Sequence, residues 1–304
     1  MSSTAHAAPA QFPAPSAIAE LLKPVTWFPP MWAFSCGVIA SGVPLAGHWM
    51  LIVVGVLLSG PLVCATSQAV NDWFDRHVDA INEPHRPIPS GRMPGRWGLY
   101  VAVIWTLLSL AVAMLLGPWG FGAAVVGLLL AWAYSAPPLR LKRNGWWGCL
   151  ACGICYEGLA WVTGGVVMVG GAAPAAASLL LAALYSGGAH GIMTLNDFKA
   201  IEGDRQMGIG SLPVRLGVQG AARVACLFMA LPQGVVIGLL LHWGQPLHAA
   251  AVAALLVGQG LMMRRFLRDP VRQALWYSGF GVPLFVSGMM VSAFALRGLA
   301  GAAA

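Results

Sequence analysis

Apolar stretches, each about long enough to cross a lipid bilayer, recur along this chain of 304 residues and constrain its fold more than any other feature. They cover residues 26–45, 50–73, 98–117, 119–136, 147–169, 177–197, 220–241, 247–266 and 275–296. Only 9% of the residues are charged, against roughly 25% in a soluble domain. We therefore expect an all-α integral membrane protein with nine transmembrane helices.

Positive charges lie on one side of this predicted topology. Every Lys and Arg except Arg297 lies before the first stretch, or in or directly beside the loops that follow the second, fourth, sixth and eighth. By the positive-inside rule that side is cytoplasmic, and the N-terminus lies on it. Topology thus explains the net charge of +7. Because the positive charge has this explanation, it does not indicate a nucleic-acid-binding protein.

The first 22 residues are rich in Ala, Pro and Ser and are predicted to be disordered, whereas residues 23–300 form a single transmembrane domain. The leading segment has neither the charged start and apolar core of a secretory signal nor the arginines of a plastid transit peptide. These features favour a bacterial inner-membrane protein.

Two acidic segments, Asn71–Asp79 (NDWFDRHVD) and Asn196–Asp204 (NDFKAIEGD), follow apolar stretches in a chain with only ten acidic residues. A charge at bilayer depth costs roughly 2.5–3.5 kcal/mol, so such carboxylates are candidates for function rather than solvated helix ends. Helical spacing puts the aspartates of each segment on one face. Oxygen ligands of this kind suit Mg²⁺. The candidate catalytic and metal-binding residues are Asp72, Asp75, Asp79, Asp197 and Asp204, with Glu202 as a further metal ligand.

Basic side chains gather on the same predicted face, in YSAPPLRLKR after the fourth stretch and in the proline-rich loop NEPHRPIPSGR after the second. Arginine offers paired donors to phosphate, and lysine offers a point charge. Carboxylates beside cations indicate an anion bridged by metal, such as a diphosphate, although Arg140 and Lys142 alone would equally fit membrane anchoring. The candidate diphosphate-binding residues are Asn71, Arg86, Tyr134, Arg140, Lys142, Asn196 and Lys199.

The two acidic segments also resemble each other and lie four helices apart, which is typical of a parallel internal repeat facing one cavity; convergence is the alternative. Glu157, inside the fifth stretch, is either a functional group or a buried, hydrogen-bonded acid. For His190 we favour a packed histidine. The C-x2-C-x2-C run from Cys149 to Cys155 lacks the fourth cysteine of an iron–sulfur pattern, so packing is the better interpretation.

The motifs NDxxDxxxD at Asn71–Asp79, YSxPP at Tyr134–Pro138 and EGD at Glu202–Asp204 resemble those of the UbiA-type membrane prenyltransferases. The longer segments KPVTWFPPMWAF, NDWFDRHVDAINEPHRPIPSGR and GIMTLNDFKAIEGDR resemble the branch of that family that makes bacteriochlorophyll and chlorophyll. The resemblance covers about residues 20 to 300. Ala200 stands where many members of the wider family have an aspartate. We therefore expect the first segment to contribute more to metal binding than the second.

This resemblance implies nine transmembrane helices around a central cavity. The activity it implies is Mg²⁺-dependent transfer of a geranylgeranyl or phytyl group from its diphosphate to the 17-propionate of bacteriochlorophyllide. It also implies a photosynthetic intracytoplasmic membrane and association with other pigment-synthesis or light-harvesting assembly proteins. Chlorophyllide, haem and an aromatic acid are the alternative acceptors. An ion transporter and a pigment-binding protein are the rival classes; a transporter usually places its site near the bilayer midplane, unlike these segments.

Overall fold

Residues 12–303, the part that the computed structural model describes, form helices joined by loops. Its helices in chain order are α1 (Pro15–Leu22), α2 (Phe28–Ala40), α3 (Trp49–Asn82), α4 (Trp97–Ala113), α5 (Gly117–Ser135), α6 (Gly145–Met168), α7 (Ala176–Asp197), α8 (Ile201–Gln206), α9 (Leu212–His242), α10 (Pro246–Phe266) and α11 (Pro270–Ala303). Helices α3 and α6 each contain a π-helical stretch, Leu58–Cys64 and Ile154–Leu159. The predicted all-α membrane class is confirmed.

By length and apolarity, seven helical segments of the described chain can cross a membrane, so the predicted count of nine is not confirmed. One of the seven, Trp97–Ser135, comprises α4 and α5 and turns at Gly117, whose φ is 75°. Within it, the Trp132 indole donates to the Thr106 hydroxyl at 3.1 Å, so the two helices lie side by side. Helix α2 is apolar but has only 13 residues.

The predicted disorder over residues 1–22 is wrong for the last part of that segment, where α1 forms; residues 1–11 lie outside the described chain. Proline at the first position of α1 suits a helix start. Leu21 and Leu22 are buried in a cluster with Ala65 and Ala69 of α3. Apolar burial at the end of α1 therefore outweighs the disorder-prone composition before it.

Small residues let α2 and α6 approach each other closely beside the central cavity. A Cβ atom added at Gly37 would lie 1.8 Å from the Trp161 carbonyl oxygen, and one added at Gly164 would lie 2.2 Å from that of Phe34. Such contacts are typical of helix pairs in membranes, where close packing replaces the hydrophobic effect as the cause of association.

Replacing Gly37 with Val should therefore destabilise the fold, because the Trp161 carbonyl belongs to helix backbone and cannot move aside. Overpacking of this kind costs about 2 kcal/mol in free energy of unfolding. Thermal unfolding of the detergent-solubilised protein measures the loss. Gly122→Val is the matched control, since a Cβ at Gly122 has no neighbour within 4 Å. Equal unfolding temperatures for the two variants would contradict the account.

Candidate active site

The first acidic segment is helical and forms the last turns of α3. Its aspartates are largely withdrawn from solvent, with 2%, 13% and 8% of the Asp72, Asp75 and Asp79 side chains exposed. Asn71 donates to an oxygen of Asp75 at 2.9 Å, one helical turn away. Burial of three like charges requires compensating cations, and the loops around α3 supply them.

Arg86 ties this segment to the proline-rich loop that follows it. Its guanidinium donates to Asp72 Oδ1 at 3.2 Å and to Asp79 Oδ2 at 2.8 Å, and it also pairs with Glu83. Glu83, which the sequence analysis did not select, in turn contacts Lys199 at 3.4 Å. Arg86 also lines the two cavities at this end of the protein.

Lys142 and Arg140 meet the same segment from the loop after α5. Lys142 is buried and pairs with Asp75, and Arg140 Nη2 lies 3.5 Å from the same carboxylate. Burial lowers the pKa of Lys142, and the charge of Asp75 opposes that change. Two backbone hydrogen bonds hold this loop in place: Gly145 donates to Gly210, and Gly210 donates to Arg143.

Lys23, just before α2, is a site residue that sequence reasoning missed. Its ammonium lies 2.6 Å from Asp72 Oδ1, and its backbone adopts a left-handed conformation with φ of 48°. The only sequence signal was its position before the first apolar stretch, which also fits ordinary membrane anchoring. The docking of α1 on α3 brings it to the site.

We expect Lys23→Met to reduce the prenyl-transfer activity that the motif resemblance implies by about tenfold or more, because one cation is removed from a buried cluster that would bind an anion. Lys23→Arg keeps the charge and should retain more activity. Steady-state rates at varied donor concentration measure the effect. Wild-type rates in Lys23→Met would remove this residue from the site.

The second acidic segment, at the end of α7 and in α8, faces the first across a small cavity of about 150 Å³ that Asp75, Asp79, Asp197 and Asp204 line. The Asn82 side chain joins the two segments by accepting a hydrogen bond from the Gly203 amide at 3.1 Å. A Cβ at Gly203 would lie 2.3 Å from that side chain, which explains the glycine of the EGD motif. Burial raises the pKa of Asp204.

Glu202 does not belong to the site, contrary to the prediction that it binds metal. Its side chain is 66% exposed, pairs with Arg205 and accepts from Gln206, and lines neither cavity. Glu202 lies in the first turn of α8, which begins at Ile201 after a break in the helix at residues 198–200, so its direction is set by α8 and not by α7. His190 is packed as predicted, stacking on Phe228 at 4.3 Å between ring centroids, but its ring nitrogens lack the hydrogen-bond partners that a satisfied histidine would have.

A larger cavity of about 470 Å³ adjoins the small one and extends into the membrane region. Asn71, Arg86, Tyr134 and Lys199 line both cavities. Lys23 and Asn196 complete the polar end of the larger one. Its other end is lined largely by small and apolar side chains of α2, α3, α5 and α6, with the acid Glu157 among them. The arrangement suits a ligand with an anionic head and a long apolar tail.

The carboxylates do not converge on one point as the helical spacing predicted. Among residues 12–303, no three acidic, histidine or cysteine side chains form a group that would hold a metal ion. Asp72 and Asp79 share Arg86 instead, while Asp75 pairs with Lys142. Magnesium usually takes only one or two carboxylates plus substrate phosphates. The buried Asp72 Oδ2, which has no hydrogen-bond partner, fits a site of that kind.

Comparison with known proteins places these features in a family. Residues 26–294 match the model of the UbiA prenyltransferase family. The chain is 58% identical over 291 residues to the bacteriochlorophyll synthase 33 kDa chain of Cereibacter sphaeroides, covering 96% of each protein. It is 46% identical to the 34 kDa chain of Chloroflexus aurantiacus, covering 91% of this chain and 89% of that one. Chloroplastic chlorophyll synthase of Oryza sativa is 40% identical, with 91% and 75% covered.

Solved structures share the fold. A UbiA homologue from Archaeoglobus fulgidus, bound to GPP and Mg²⁺, superposes with a TM-score of 0.63 at 20% identity, covering 94% of this chain and 98% of that one. A structure of digeranylgeranylglyceryl phosphate synthase gives a TM-score of 0.67 at 20% identity, covering 92% and 98%.

Proposed function

The chain belongs to the UbiA prenyltransferase family, and we propose that it transfers a geranylgeranyl or phytyl group from its diphosphate to the 17-propionate of bacteriochlorophyllide. The observation that carries this proposal is the 58% identity, over almost the whole chain, to a bacteriochlorophyll synthase. Chlorophyll synthases are more distant at 40%, which favours bacteriochlorophyllide over chlorophyllide as the acceptor.

The ionic end of the two cavities would hold the diphosphate. Lys23, Arg86 and Lys142 lie around the aspartates and supply charge-assisted hydrogen bonds to its oxygens, with Arg140 and Lys199 at the edge. Asn71, Tyr134 and Asn196 add polar contacts where the cavities meet. The larger cavity would take the prenyl chain and, beside it, part of the acceptor.

We propose Mg²⁺ as the cofactor, which would be held by the diphosphate together with one or two carboxylates per ion, drawn from Asp72, Asp75 and Asp79 in the first segment and Asp197 and Asp204 in the second. Bound there, the metal would stabilise charge that develops on the leaving group. The ion pairs at Asp72 and Asp75 would open as their cations turn towards the phosphates. The exposed Glu202 is left out of this set.

The reaction would break the bond between the allylic carbon and the diphosphate oxygen and form an ester bond to a propionate oxygen. Lys23, Arg86 and Lys142 stabilise the departing diphosphate. A carboxyl group with an ordinary pKa near 4 is already ionised at neutral pH, so the propionate attacks without a general base. The apolar wall of the larger cavity keeps water from the electron-poor carbon.

The distribution of Lys and Arg supports an orientation with the site on the cytoplasmic side. Similarity to bacterial bacteriochlorophyll synthases supports a bacterial inner membrane, including its photosynthetic intracytoplasmic form. Both acidic segments and the cationic loops belong to that side of the predicted topology. Pigment-synthesis and light-harvesting assembly proteins are the partners that this location would offer.

Acceptor choice tests the proposal. Purified protein is supplied with geranylgeranyl diphosphate and, separately, bacteriochlorophyllide, chlorophyllide, haem B or 4-hydroxybenzoate, and prenylated product is quantified by chromatography. Bacteriochlorophyllide should be esterified fastest. A faster reaction with haem or 4-hydroxybenzoate would refute the proposed acceptor while leaving the family assignment in place.

A further inference from the structure

Glu157 is a buried acid that the proposed chemistry does not use. It lies in the π-helical stretch Ile154–Leu159 of α6, is 4% exposed and lines the larger cavity. Its Oε2 atom has no hydrogen-bond partner, and no described Lys, Arg or His forms an ion pair with it. Single π-helical turns inside α-helices occur frequently at functional sites.

The neighbouring polar groups do not provide a partner for Glu157. The Tyr156 hydroxyl accepts from Gln68 at 3.0 Å and lies 3.1 Å from the Ser67 hydroxyl. Thr163, one turn and a half further along α6, donates to the Leu159 carbonyl at 2.6 Å. An unpaired ionised carboxylate in such a wall is costly, whereas a neutral carboxyl needs only a hydrogen-bond partner. Because Glu157 lines the larger cavity, a ligand bound there could supply the missing partner.

Glu157 is too deep to contact the diphosphate. Cys149, on the same helix, borders the small cavity with Asp75 and Lys142. Glu157 follows Cys149 by eight positions, which at 1.5 Å per residue places it roughly 12 Å further into the membrane region. A prenyl chain there offers no polar atom. A tetrapyrrole does, because its ring substituents lie well away from the propionate that reacts.

We propose that the Glu157 carboxyl donates a hydrogen bond to the acetyl carbonyl on the first pyrrole ring of the tetrapyrrole acceptor. This contact would select bacteriochlorophyllide over chlorophyllide. This inference rests on the proposed function. Bacteriochlorophyllide a carries an acetyl group on the first pyrrole ring, where chlorophyllide a carries a vinyl group that cannot accept a hydrogen bond. A site built to pair a polar group discriminates strongly against an analogue that lacks it, since its own buried group is then left without a partner.

The test compares bacteriochlorophyllide a with its 3-vinyl analogue, which keeps the same macrocycle and central metal, as acceptors in the geranylgeranyl transfer assay. Wild-type protein should prefer the acetyl acceptor in kcat/KM by about tenfold, the effect of stranding one buried polar group. Glu157→Leu should abolish the preference while keeping activity on the vinyl acceptor. Glu157→Gln, whose amide also donates, should retain part of the preference. Thr163→Val, on the same wall with its hydroxyl already bonded, should keep all of it.

Each other result contradicts the inference. A wild-type protein with no preference, or a preference that survives in Glu157→Leu and Glu157→Gln, would remove Glu157 from acceptor recognition. Equal loss of activity on both acceptors would assign it a structural role. Failure of the wild-type protein to esterify either tetrapyrrole would instead refute the proposed function.

Discussion

Asp72→Asn should abolish most prenyl transfer, with a fall in kcat/KM of about a thousandfold, while the protein remains folded. The substitution keeps the size of the side chain but removes the negative charge that contacts Lys23 and Arg86. It also replaces one carboxylate oxygen with an amide nitrogen, so the unpartnered oxygen proposed to bind metal is lost. Losing one preorganised electrostatic contact in a buried site typically costs about 10²–10³ in rate. Loss of the metal-binding oxygen adds to it.

Glu202→Gln is the matched control for Asp72→Asn. It also converts an acid to its amide within an acidic motif, but at a side chain that is 66% exposed and outside both cavities. We expect wild-type activity from it. Thermal unfolding of both variants separates lost chemistry from lost structure. An active Asp72→Asn variant, or a Glu202→Gln variant as impaired as Asp72→Asn, would contradict the assignment of the site.

Arg86→Gln should lower kcat/KM for the prenyl diphosphate by about a hundredfold, because a single guanidinium serves Asp72, Asp79 and Glu83 and lines both cavities. Lysine cannot reproduce a planar fork that contacts several oxygens, so Arg86→Lys should recover only part of the loss. Initial rates at varied donor concentration measure both variants.

Arg92→Gln provides the comparison within the same loop. Arg92 binds Glu20 at 2.6 and 2.8 Å, and 45% of its side chain is exposed. An exposed pair of this kind contributes little, and it lies outside both cavities, so activity should stay near that of the wild type. Equal losses in Arg86→Gln and Arg92→Gln would indicate that the loop acts as a unit and that Arg86 has no contact with the donor.

Sequence patterns predicted the helical membrane class. They also placed both acidic segments near one cavity, because a charge is costly at bilayer depth and a cluster of carboxylates there indicates a functional site. They missed Lys23 because a lysine before an apolar stretch also fits membrane anchoring. They assigned Glu202 to the metal site because spacing alone does not show which face of a short helix such as α8 is turned towards the cavity. The pairing of Asp75 with Lys142 depends on the loop held by Gly210, which no local pattern reveals.

The central claim is that carboxylates hold Mg²⁺ against a prenyl diphosphate. The metal dependence of the reaction tests this claim most directly. Purified protein is depleted of divalent ions with EDTA, and esterification of bacteriochlorophyllide by geranylgeranyl diphosphate is measured before and after Mg²⁺ is restored, with thermal unfolding as the check on structure. The account predicts that activity disappears on chelation, returns with Mg²⁺ in the wild type, and does not return in Asp72→Asn. Full activity of the folded protein in EDTA would contradict it.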